Sequence, residues 1–430
     1  MSTLVKSLPS PAHIPVAIVG GGQAGLSLSW CLKERGIGHI VFEKERAMHV
    51  WRDQRWDTFS LVTPNWQCDL PGHPYDGDDP DGFMVKEEII AWLERFRAKV
   101  DPPIREGVAV TRVKRRADGT FDVKTSDGDY IANEIVIASG GYHTPIVPRM
   151  AERLPASITQ IHSEQYCNPA QLPDGGVLVV GSGQSGAQIA EDLHLAGRQV
   201  HLAVGHAPRC ARFYRGRDVV TWLADMGYYD ISVETHPLRE GVRDNTNHYV
   251  TGRDGGRDID LRAFAREGMK LYGILQDCRD GQLAFGAELK AALDHADQIY
   301  NGINAAIDAY IAENAIDAPP GSVYRPVWEP DEIVRSLDLA KSGITSIIWA
   351  IGFSPDFRWV DAPVFNGAGQ PQHTRGVTRE PGLYFLGLPW LHTWGSGRFS
   401  GIKRDSIYIA DEIALRLKTR SQDVRQAKAV

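Results

Sequence analysis

The sequence predicts an α/β fold with two doubly wound domains, and two observations carry that prediction. Residues 16–19 form a short apolar strand that runs into a glycine-rich turn and a helical pattern, and another strand follows at 39–42. The same order of strand, glycine turn and helix begins again at 177–180, about 160 residues later. Repeated units of this kind are typical of Rossmann-like nucleotide-binding domains, so we expect two of them.

The composition is that of a folded globular protein. Its 430 residues leave room for two or three domains, and 43% of them are apolar. The 47 Lys and Arg side chains are outnumbered by 54 Asp and Glu, so the net charge of −7 disfavours binding to nucleic acid or to an anionic membrane. Any anionic ligand must be held by local groups.

The five cysteines are scattered, with no CxxC pair. This spacing argues against a zinc ribbon, a dithiol redox centre and a secreted disulfide framework, and it favours a reducing cytoplasm. Prolines and glycines interrupt the uncharged stretches before they reach the roughly 20 residues that a membrane helix needs. Residues 1–15 lack the apolar core of a secretory signal. We expect a cytoplasmic protein with no metal site.

The first domain is expected to be discontinuous and to carry a small antiparallel meander. Hairpin signals at Asp118-Gly119 and Asp127-Gly128 separate alternating segments, and a buried strand follows at 134–138. Apolar residues at helical spacing over 289–311 predict a helical insertion in the second domain. The predicted boundaries are 1–165 plus 335–430 for the first domain and 166–334 for the second, with the insertion at about 219–315.

Two glycine-rich loops point to dinucleotides. They are Gly20-Gly21-Gly22-Gln23-Ala24-Gly25 and Gly181-Ser182-Gly183-Gln184-Ser185-Gly186, both of G-x-G-x-x-G form. In such loops the first glycine permits a tight turn, the second lets a pyrophosphate approach the backbone, and the third lets helix pack on strand. The phosphate would lie at the helix N-terminus.

The residue 23 positions after each first glycine distinguishes the two loops. Glu43 ends the second strand of the first unit, where a carboxylate accepts a ribose 2′-hydroxyl and repels a 2′-phosphate, which favours FAD or NAD. The second unit has Val204 there, and four arginines follow: Arg209, Arg212, Arg215 and Arg217. This favours NADPH, and we expect Arg209, the arginine nearest the strand end, to bind the 2′-phosphate.

Further motifs narrow the prediction. Ala138-Ser139-Gly140-Gly141-Tyr142-His143-Thr144-Pro145, with Pro148, is similar to an A-T-G-x-Y-x-x-P-x-x-P linker. His162 and Tyr166 fit the second half of an F-x-G-x-x-x-H-x-x-x-[Y/W] fingerprint, in which Ala156 and Ile158 replace the Phe and Gly. With the two loops, these motifs resemble the class B flavoprotein monooxygenases, which include flavin-containing monooxygenases, plant YUCCA enzymes and Baeyer-Villiger monooxygenases.

Other segments extend this resemblance. Trp349-Ala350-Ile351-Gly352-Phe353 is similar to a second A-T-G-Y segment near the family's C-terminal FAD contact, and Asn65 is similar in placement to an asparagine over the flavin. Trp51 and Arg52 follow the first unit where the family has a G-x-W segment along FAD. Residues 394–401 resemble a bacterial subgroup of uncharacterised flavin-dependent oxidoreductases, often encoded beside nitrilase-type genes.

The resemblance implies FAD and NADPH as cofactors. The residues expected to bind them are Gly20, Gly22, Gln23, Ala24, Gly25, Glu43, Lys44, Trp51, Arg52, Val110, Ala138, Ser139, Gly140, Tyr142, His162, Tyr166, Gly181, Gly183, Gln184, Ser185, Gly186, Arg209, Arg212, Gly352 and Phe353.

The resemblance also implies a reaction. NADPH would reduce FAD, and the reduced flavin would capture O2 as a C4a-(hydro)peroxide that oxygenates a small nitrogen- or sulfur-containing substrate. Tyr166, where Baeyer-Villiger enzymes usually carry Trp, favours N- or S-oxygenation, and Asn65 would donate a hydrogen bond at the reacting centre. The alternatives are a flavin oxidase or reductase that makes H2O2, Baeyer-Villiger oxygenation, and a non-enzymatic NADPH sensor. The insertion is a candidate homodimer interface.

Overall fold

The computed structural model describes residues 11–429, and side-chain burial is described through residue 422. Residues 1–10, most of the segment predicted to lack a secretory signal, lie outside the described residues. The described chain forms a ten-stranded mixed sheet and a five-stranded parallel sheet, with helices packed against both. This confirms the predicted α/β fold with two doubly wound domains. Among the described helices, none is long and apolar enough to cross a membrane.

The first sheet joins a parallel half to an antiparallel meander. Its parallel strands lie in the order Leu383–Phe385, Gly128–Ile137, Ala12–Val19, His39–Glu43 and Ile104–Glu106. The meander adds Phe121–Thr125 and Val110–Arg115, and Val360–Asp361, His373–Thr374 and Val377–Thr378 complete the sheet. The long strand Gly128–Ile137 belongs to both halves, since its first residues pair with the meander and its last with the parallel strands.

The second sheet corrects the predicted domain boundaries. Its five parallel strands lie in the order Thr159–His162, Ile344–Trp349, Gly176–Val180, Val200–Ala203 and Lys270–Tyr272. Both Thr159–His162 and Ile344–Trp349 were assigned to the first domain by the boundaries at 165 and 335. A buried parallel strand is apolar on both faces, so its sequence does not say which of two similar sheets it joins.

The predicted helical insertion is only partly helical. Region 219–315 contains Val219–Asp225, Leu261–Arg266 and the long helix Leu289–Glu313. It also contains Lys270–Tyr272 of the second sheet and the hairpin Leu275–Arg279 with Gln282–Phe285, to which Ser336–Asp338 is added. The strands are three to five residues long, too short to show a clear alternation beside the long helical pattern.

The remaining elements are the crossing between the two domains, the other helices and short strand pairs. The chain crosses between domains twice, and Thr144–Pro145 pairs with Phe353–Ser354 where it does so. The other helices are Gln23–Glu34, His49–Asp53, Lys86–Val100, Gln184–Leu195, Leu339–Ser342 and Ile402–Ala429. The short 3-10 helices are Asn65–Gln67, Arg149–Arg153, Ser163–Gln165, Pro169–Gln171, Tyr228–Asp230, Arg239–Asp244 and Arg253–Gly255, and the short strand pairs are Asp69–Leu70 with His73–Pro74 and Phe213–Tyr214 with Arg217–Asp218.

Burial of the helix after each glycine loop fixes the loop in place. Helix Gln23–Glu34 buries Leu26, Leu28 and Leu32 completely and packs against the C-terminal helix. Helix Gln184–Leu195 likewise buries Ile189 and Leu193 against the second sheet. Because each helix begins directly after its glycine loop, this packing holds the loop at the carboxyl edge of a parallel sheet, where open α/β sheets bind ligands.

Candidate functional site

In the first glycine loop, the second glycine alone of the three faces open space. A Cβ added to Gly20, whose φ is +116°, would lie 2.5 Å from the Ala138 carbonyl oxygen, and one added to Gly25 would overlap the Gly20 carbonyl oxygen. A Cβ on Gly22 would meet no atom within 4 Å. The protein's own packing therefore requires the outer two glycines, whereas Gly22 leaves the backbone open to a ligand.

The second glycine loop repeats this arrangement. Gly181 has a φ of +104°, and a Cβ there would lie 2.6 Å from the Ala350 carbonyl oxygen. A Cβ on Gly186 would overlap the Gly181 carbonyl oxygen, while one on Gly183 would have Thr246 Cγ2 as its nearest neighbour at 4.0 Å. Both loops thus leave room for a pyrophosphate at the N-terminus of a helix.

A carboxylate is hydrogen-bonded to the backbone of the first loop. Glu43 accepts hydrogen bonds from the backbone N–H of Gly21 at 2.6 Å and of Glu45 at 2.9 Å. These two bonds hold the carboxylate against the loop at the end of its strand, and they leave lone pairs for a further donor. The arrangement suits a ribose hydroxyl and repels an added phosphate.

The second loop is closed by a neutral hydroxyl. Gly205 N–H donates to Ser182 Oγ at 2.9 Å, and Val204, at the position that corresponds to Glu43, is buried. His206 is the first exposed side chain after the strand Val200–Ala203. This side of the second loop therefore places no carboxylate beside a ribose 2′ position.

The glutamine that begins the helix after each glycine loop forms hydrogen bonds to a segment from elsewhere in the chain. Gln23 donates to the Gly397 carbonyl at 3.0 Å and accepts from Trp51 Nε1 at 3.2 Å. Gln184 donates to the Val250 carbonyl at 2.7 Å and accepts from the N–H of the same residue at 3.3 Å. Both glutamines therefore shape the walls of the cleft over the loops.

The surroundings of Arg209 do not support the prediction that it binds a 2′-phosphate. Its side chain is buried, Nη2 lies 2.9 Å from Asp297 Oδ1, and the guanidinium lies over the rings of Tyr324 and Tyr300 at 4.0 and 4.5 Å. Asp260 stands 3.6 Å from Nη1. The charge of Arg209 is thus balanced inside the domain, and the side chain has no path to a ligand.

Arg212 is also a structural residue. Its Nη2 pairs with Asp218, with a 2.6 Å hydrogen bond to Oδ1, and its Nη1 donates to the Val62 carbonyl of the first domain at 2.7 Å. The guanidinium lies 4.6 Å from the ring centre of Phe83, and the residue is 1% exposed. Arg212 therefore fixes the two domains together and does not serve a phosphate.

Comparison with known proteins places these loops in a family. A model of the family "Pyridine nucleotide-disulphide oxidoreductase" matches residues 17–225. An uncharacterized oxidoreductase, CzcO-like, from Geobacillus kaustophilus is 31% identical over 406 residues, which cover 93% of this chain and 98% of that protein. The chain belongs to the CzcO-like oxidoreductases. It is therefore an enzyme of the oxidoreductase class.

Two further likenesses lead to the flavin monooxygenases. The probable indole-3-pyruvate monooxygenase YUCCA4 of Arabidopsis thaliana is 28% identical over 208 residues, covering 47% of this chain and 50% of that protein. A flavin-containing monooxygenase from Stenotrophomonas maltophilia has the same fold, with a TM-score of 0.63 at 17% identity over 94% of this chain and 99% of that one. The resemblance predicted from the motifs, to class B flavoprotein monooxygenases, is confirmed.

The cysteines of this CzcO-like oxidoreductase do not form a disulfide centre. All five are unpaired, and four of them are buried. Burial raises the pKa of Cys31 to about 11 and that of Cys68 to about 12, which disfavours the reactive thiolate. Cys167 is exposed but has no neighbouring cysteine in its hydrogen-bonded surroundings.

Asn65, predicted to be catalytic, is used within its own loop. It is 3% exposed, its Oδ1 accepts from the Met84 N–H at 2.7 Å, and its Nδ2 donates to the Asp79 carbonyl at 2.9 Å. The carboxamide therefore holds residues 79–84 in place. This geometry does not support a hydrogen bond from Asn65 to a reacting centre.

The two fingerprint residues also have interior partners. His162 Nε2 lies 3.1 Å from the Gly352 carbonyl, and its ring meets that of Phe353 edge to face at 4.7 Å. Burial lowers the pKa of His162. The Tyr166 hydroxyl donates to Asp192 at 2.6 Å in the interior. These interior partners do not support the predicted cofactor contacts of His162 and Tyr166.

Asp192 is an interdomain contact that sequence reasoning missed. Its Oδ1 accepts from Thr58 Oγ1 of the first domain and from Arg253 Nη1, both at 2.6 Å, while Oδ2 accepts from Tyr166. No motif singles out an aspartate in the middle of helix Gln184–Leu195. Its position two turns after the second loop shows that the domains are joined close to the site.

The linker residues 138–142 follow the strand beside the first loop. Ala138 and Ser139 lie against Gly20, and a Cβ on Gly140 or Gly352 would meet no atom within 4 Å. The exposed Tyr142 ring packs on Phe353 with 5.5 Å between ring centres. These residues remain predicted cofactor contacts.

The other predicted contacts divide into open and occupied positions. Trp51 bonds Gln23 and stacks on Phe399 with 4.9 Å between ring centres, whereas Arg52 pairs with Glu94. Lys44 and Ser185 are exposed beside their loops, and Ala24 is buried under Gly387. Val110 begins a meander strand and is half-buried.

Two arginines that were not among the predicted cofactor contacts lie beside the segments that Gln23 holds. Arg55 lies over the Trp51 ring at 5.0 Å, and Arg398 lies over the Trp394 ring at 4.1 Å. Arg398 also donates to Asn247 of the second domain at 3.0 Å. Arg398 belongs to the segment 394–401 that resembles a bacterial subgroup, whereas no motif includes Arg55. Only the fold shows that both arginines lack an acidic partner.

Proposed function

We propose that the protein is an FAD-dependent, NADPH-using monooxygenase that oxygenates a small nitrogen- or sulfur-containing organic substrate. The observation that carries the proposal is the pair of glycine loops, each required by packing at its outer glycines and open at its middle one. The plant relative named a probable indole-3-pyruvate monooxygenase supports the reaction class.

FAD is assigned to the first loop because of the acid beside it. The open backbone at Gly22 would receive the pyrophosphate, and Glu43 would accept the ribose hydroxyl. Trp51, held by Gln23 and stacked on Phe399, offers a flat apolar wall next to the loop. An isoalloxazine ring is flat and its dimethylbenzene part is apolar, so these residues fit the cofactor.

NADPH is assigned to the second loop because nothing there repels a 2′-phosphate. Gly183 offers the open backbone, and the strand end presents Gly205 without a side chain. The exposed His206 follows directly and would meet the phosphate in place of the buried arginines. Binding would therefore depend mainly on backbone N–H groups and less on cations.

A series of hydrogen bonds links the surroundings of the two loops. Gln23 of the first loop donates a hydrogen bond to Gly397, and the next residue, Arg398, donates one to Asn247. Asn247 lies three residues before Val250, whose backbone is hydrogen-bonded to Gln184 of the second loop. When bound, FAD would accept a hydride from NADPH and activate O2, so that one oxygen atom enters the substrate and the other leaves as water. The aromatic walls would exclude water from the cleft.

Anaerobic reduction followed by oxygen tests the proposal. The flavin bands of the purified holoenzyme should bleach with NADPH, and mixing with O2 and an amine or thioether panel should give an oxygenated product in step with NADPH consumed. Failure of NADPH to reduce the flavin would overturn the assignment. Formation of one H2O2 per NADPH with every substrate would instead identify a flavin oxidase.

A further inference from the structure

Arg55 and Arg398 differ from the neighbouring Arg52 because they have no acidic partner. Arg55 donates to the Gln54 carbonyl at 2.8 Å, and Arg398 donates to the Trp394 carbonyl and to Asn247. Among the described residues, neither has an acidic side chain within 4.0 Å, whereas the cleft arginine Arg52 pairs with Glu94. Each positive charge is therefore left without a counterion in the protein.

Their surroundings make the missing counterion costly. Both side chains are half-buried, and this burial lowers the pKa of Arg55 to about 10 and lowers the pKa of Arg398. A desolvated cation without an anionic partner is unfavourable, and the cost is removed if a bound anion supplies the charge. The two arginines thus form a preorganised site for an oxyanion.

Both arginines lie at the junction of the two glycine loops. Arg55 packs on Trp51, which bonds the first-loop residue Gln23, and Arg398 bridges Gly397 to Asn247 of the second domain. An anion between them would therefore lie beside the place where the two cofactors are proposed to meet.

The walls around the arginines are aromatic. Trp51 stacks on Phe399, and Trp394 packs on Tyr229 with 4.6 Å between ring centres. Arg55 also lies 5.4 Å from the ring centre of Phe59. Flat apolar surfaces next to paired cations fit an organic acid better than a bare phosphate. The phosphates of the dinucleotides already have the open backbone of the glycine loops.

We propose that Arg55 and Arg398 together bind the carboxylate of the substrate, so that this oxidoreductase acts on small organic acids whose apolar body lies on the aromatic walls. A guanidinium offers paired N–H donors that match the two oxygens of a carboxylate. The assignment of this carboxylate to a substrate rests on the proposed function, whereas the anion site itself does not.

Calorimetric titration of the FAD-loaded protein with carboxylates and their amides tests the site. The probes are phenylacetate and 3-(methylthio)propionate, each beside its neutral amide. We expect the wild-type protein to bind at least one acid about tenfold or more tightly than its amide, the factor typical of charge-assisted hydrogen bonds. Arg55→Gln and Arg398→Gln should each abolish that difference, and Arg398→Lys should restore part of it.

One control variant and three further measurements separate the possible sources of an oxyanion. Arg116→Gln, on the exposed meander, should leave acid binding unchanged. FAD content and NADP⁺ affinity are measured for every variant, together with the melting temperature. Equal affinity for acid and amide in the wild-type protein would overturn the proposal. So would variants that lose FAD or NADP⁺ while still preferring the acid, because the arginines would then serve a dinucleotide phosphate.

The titration needs neither NADPH oxidation nor O2. If acid binding depends on both arginines, the anion site stands even when NADPH fails to reduce the flavin. If NADPH reduces the flavin but the acid and its amide bind equally, the monooxygenase proposal stands and the proposed substrate class is lost. The two proposals therefore fail separately.

Discussion

The two glycine loops share a backbone but differ in the groups at the end of the next strand. In both, the outer glycines are fixed by contact with a carbonyl oxygen, and the middle glycine is open. At the strand end, the first loop is held by the Glu43 carboxylate and the second by the Ser182 hydroxyl. The backbone thus determines where a dinucleotide lies, and a few side-chain atoms determine which dinucleotide it is.

The outer glycines should show the largest effect, and it should be equal in the two loops. Gly25→Ala and Gly186→Ala each drive a methyl group into a backbone carbonyl, so we expect each to lower the free energy of unfolding by about 3 kcal/mol or more. Urea unfolding of both variants measures this. A loss in one loop but not in the other would break the equivalence of their backbones.

Removal of the buried arginine should destabilise the second domain without changing coenzyme preference. Arg209→Gln leaves Asp297 and Asp260 without their cation, which we expect to cost about 3 kcal/mol. The ratio of NADPH to NADH affinity should stay the same in the folded variant. His206→Ala is the matched variant, and it should lower that ratio by about threefold, as expected for an exposed contact. A fall in the ratio for Arg209→Gln alone would restore the arginine as a phosphate ligand.

A smaller effect should distinguish the two sheets by pH. Burial raises the pKa of Glu134 in the first sheet to about 7, so the folded protein keeps a proton that the unfolded chain releases near 4.5, and stability falls as pH rises between these values. Burial lowers the pKa of His201 in the second sheet to about 4, so the unfolded chain takes up a proton near 6.5 that the folded protein refuses, and stability falls as pH drops between these values.

These two groups act on stability in opposite directions over the same range, between pH 4.5 and 6.5. Each is worth at most about 1.4 kcal/mol per pH unit. Relative to the wild-type protein, Glu134→Gln should make the slope of stability against pH more positive, and His201→Gln should make it more negative. Urea unfolding at pH 5 and pH 6 measures both slopes. Identical slopes in the two variants would contradict the burial of one or the other group.

The loops could be predicted from sequence because everything they need is contiguous. Strand, glycines and helix stand within one short segment, and the packing that fixes Gly20 and Gly25 comes from that unit and from Ala138 of a neighbouring strand. Glu43 is also set by the unit, since it ends the strand beside the loop. Local patterns of this kind carry their own geometry.

Side chains that depend on distant partners could not be predicted. Arg209 lies beside Asp260 and Asp297, which belong to elements far along the chain. The Asn65 carboxamide is hydrogen-bonded to a loop that follows it in the sequence. Strand Ile344–Trp349 gives no sign of which sheet it joins, because both sheets accept an apolar parallel strand. The unpaired state of Arg55 and Arg398 is likewise visible only in the fold.

The central claim, one dinucleotide for each loop, is tested most directly by alanine at the two open glycines. Gly22→Ala should lower FAD affinity by about a hundredfold and leave NADP⁺ affinity unchanged, and Gly183→Ala should do the reverse, because each methyl group occupies the space of one pyrophosphate. Gly302→Ala, in a long helix with no atom within 4 Å of the added Cβ, is the control that should change neither. Loss of NADP⁺ binding in Gly22→Ala with normal binding in Gly183→Ala would contradict the assignment of the two loops.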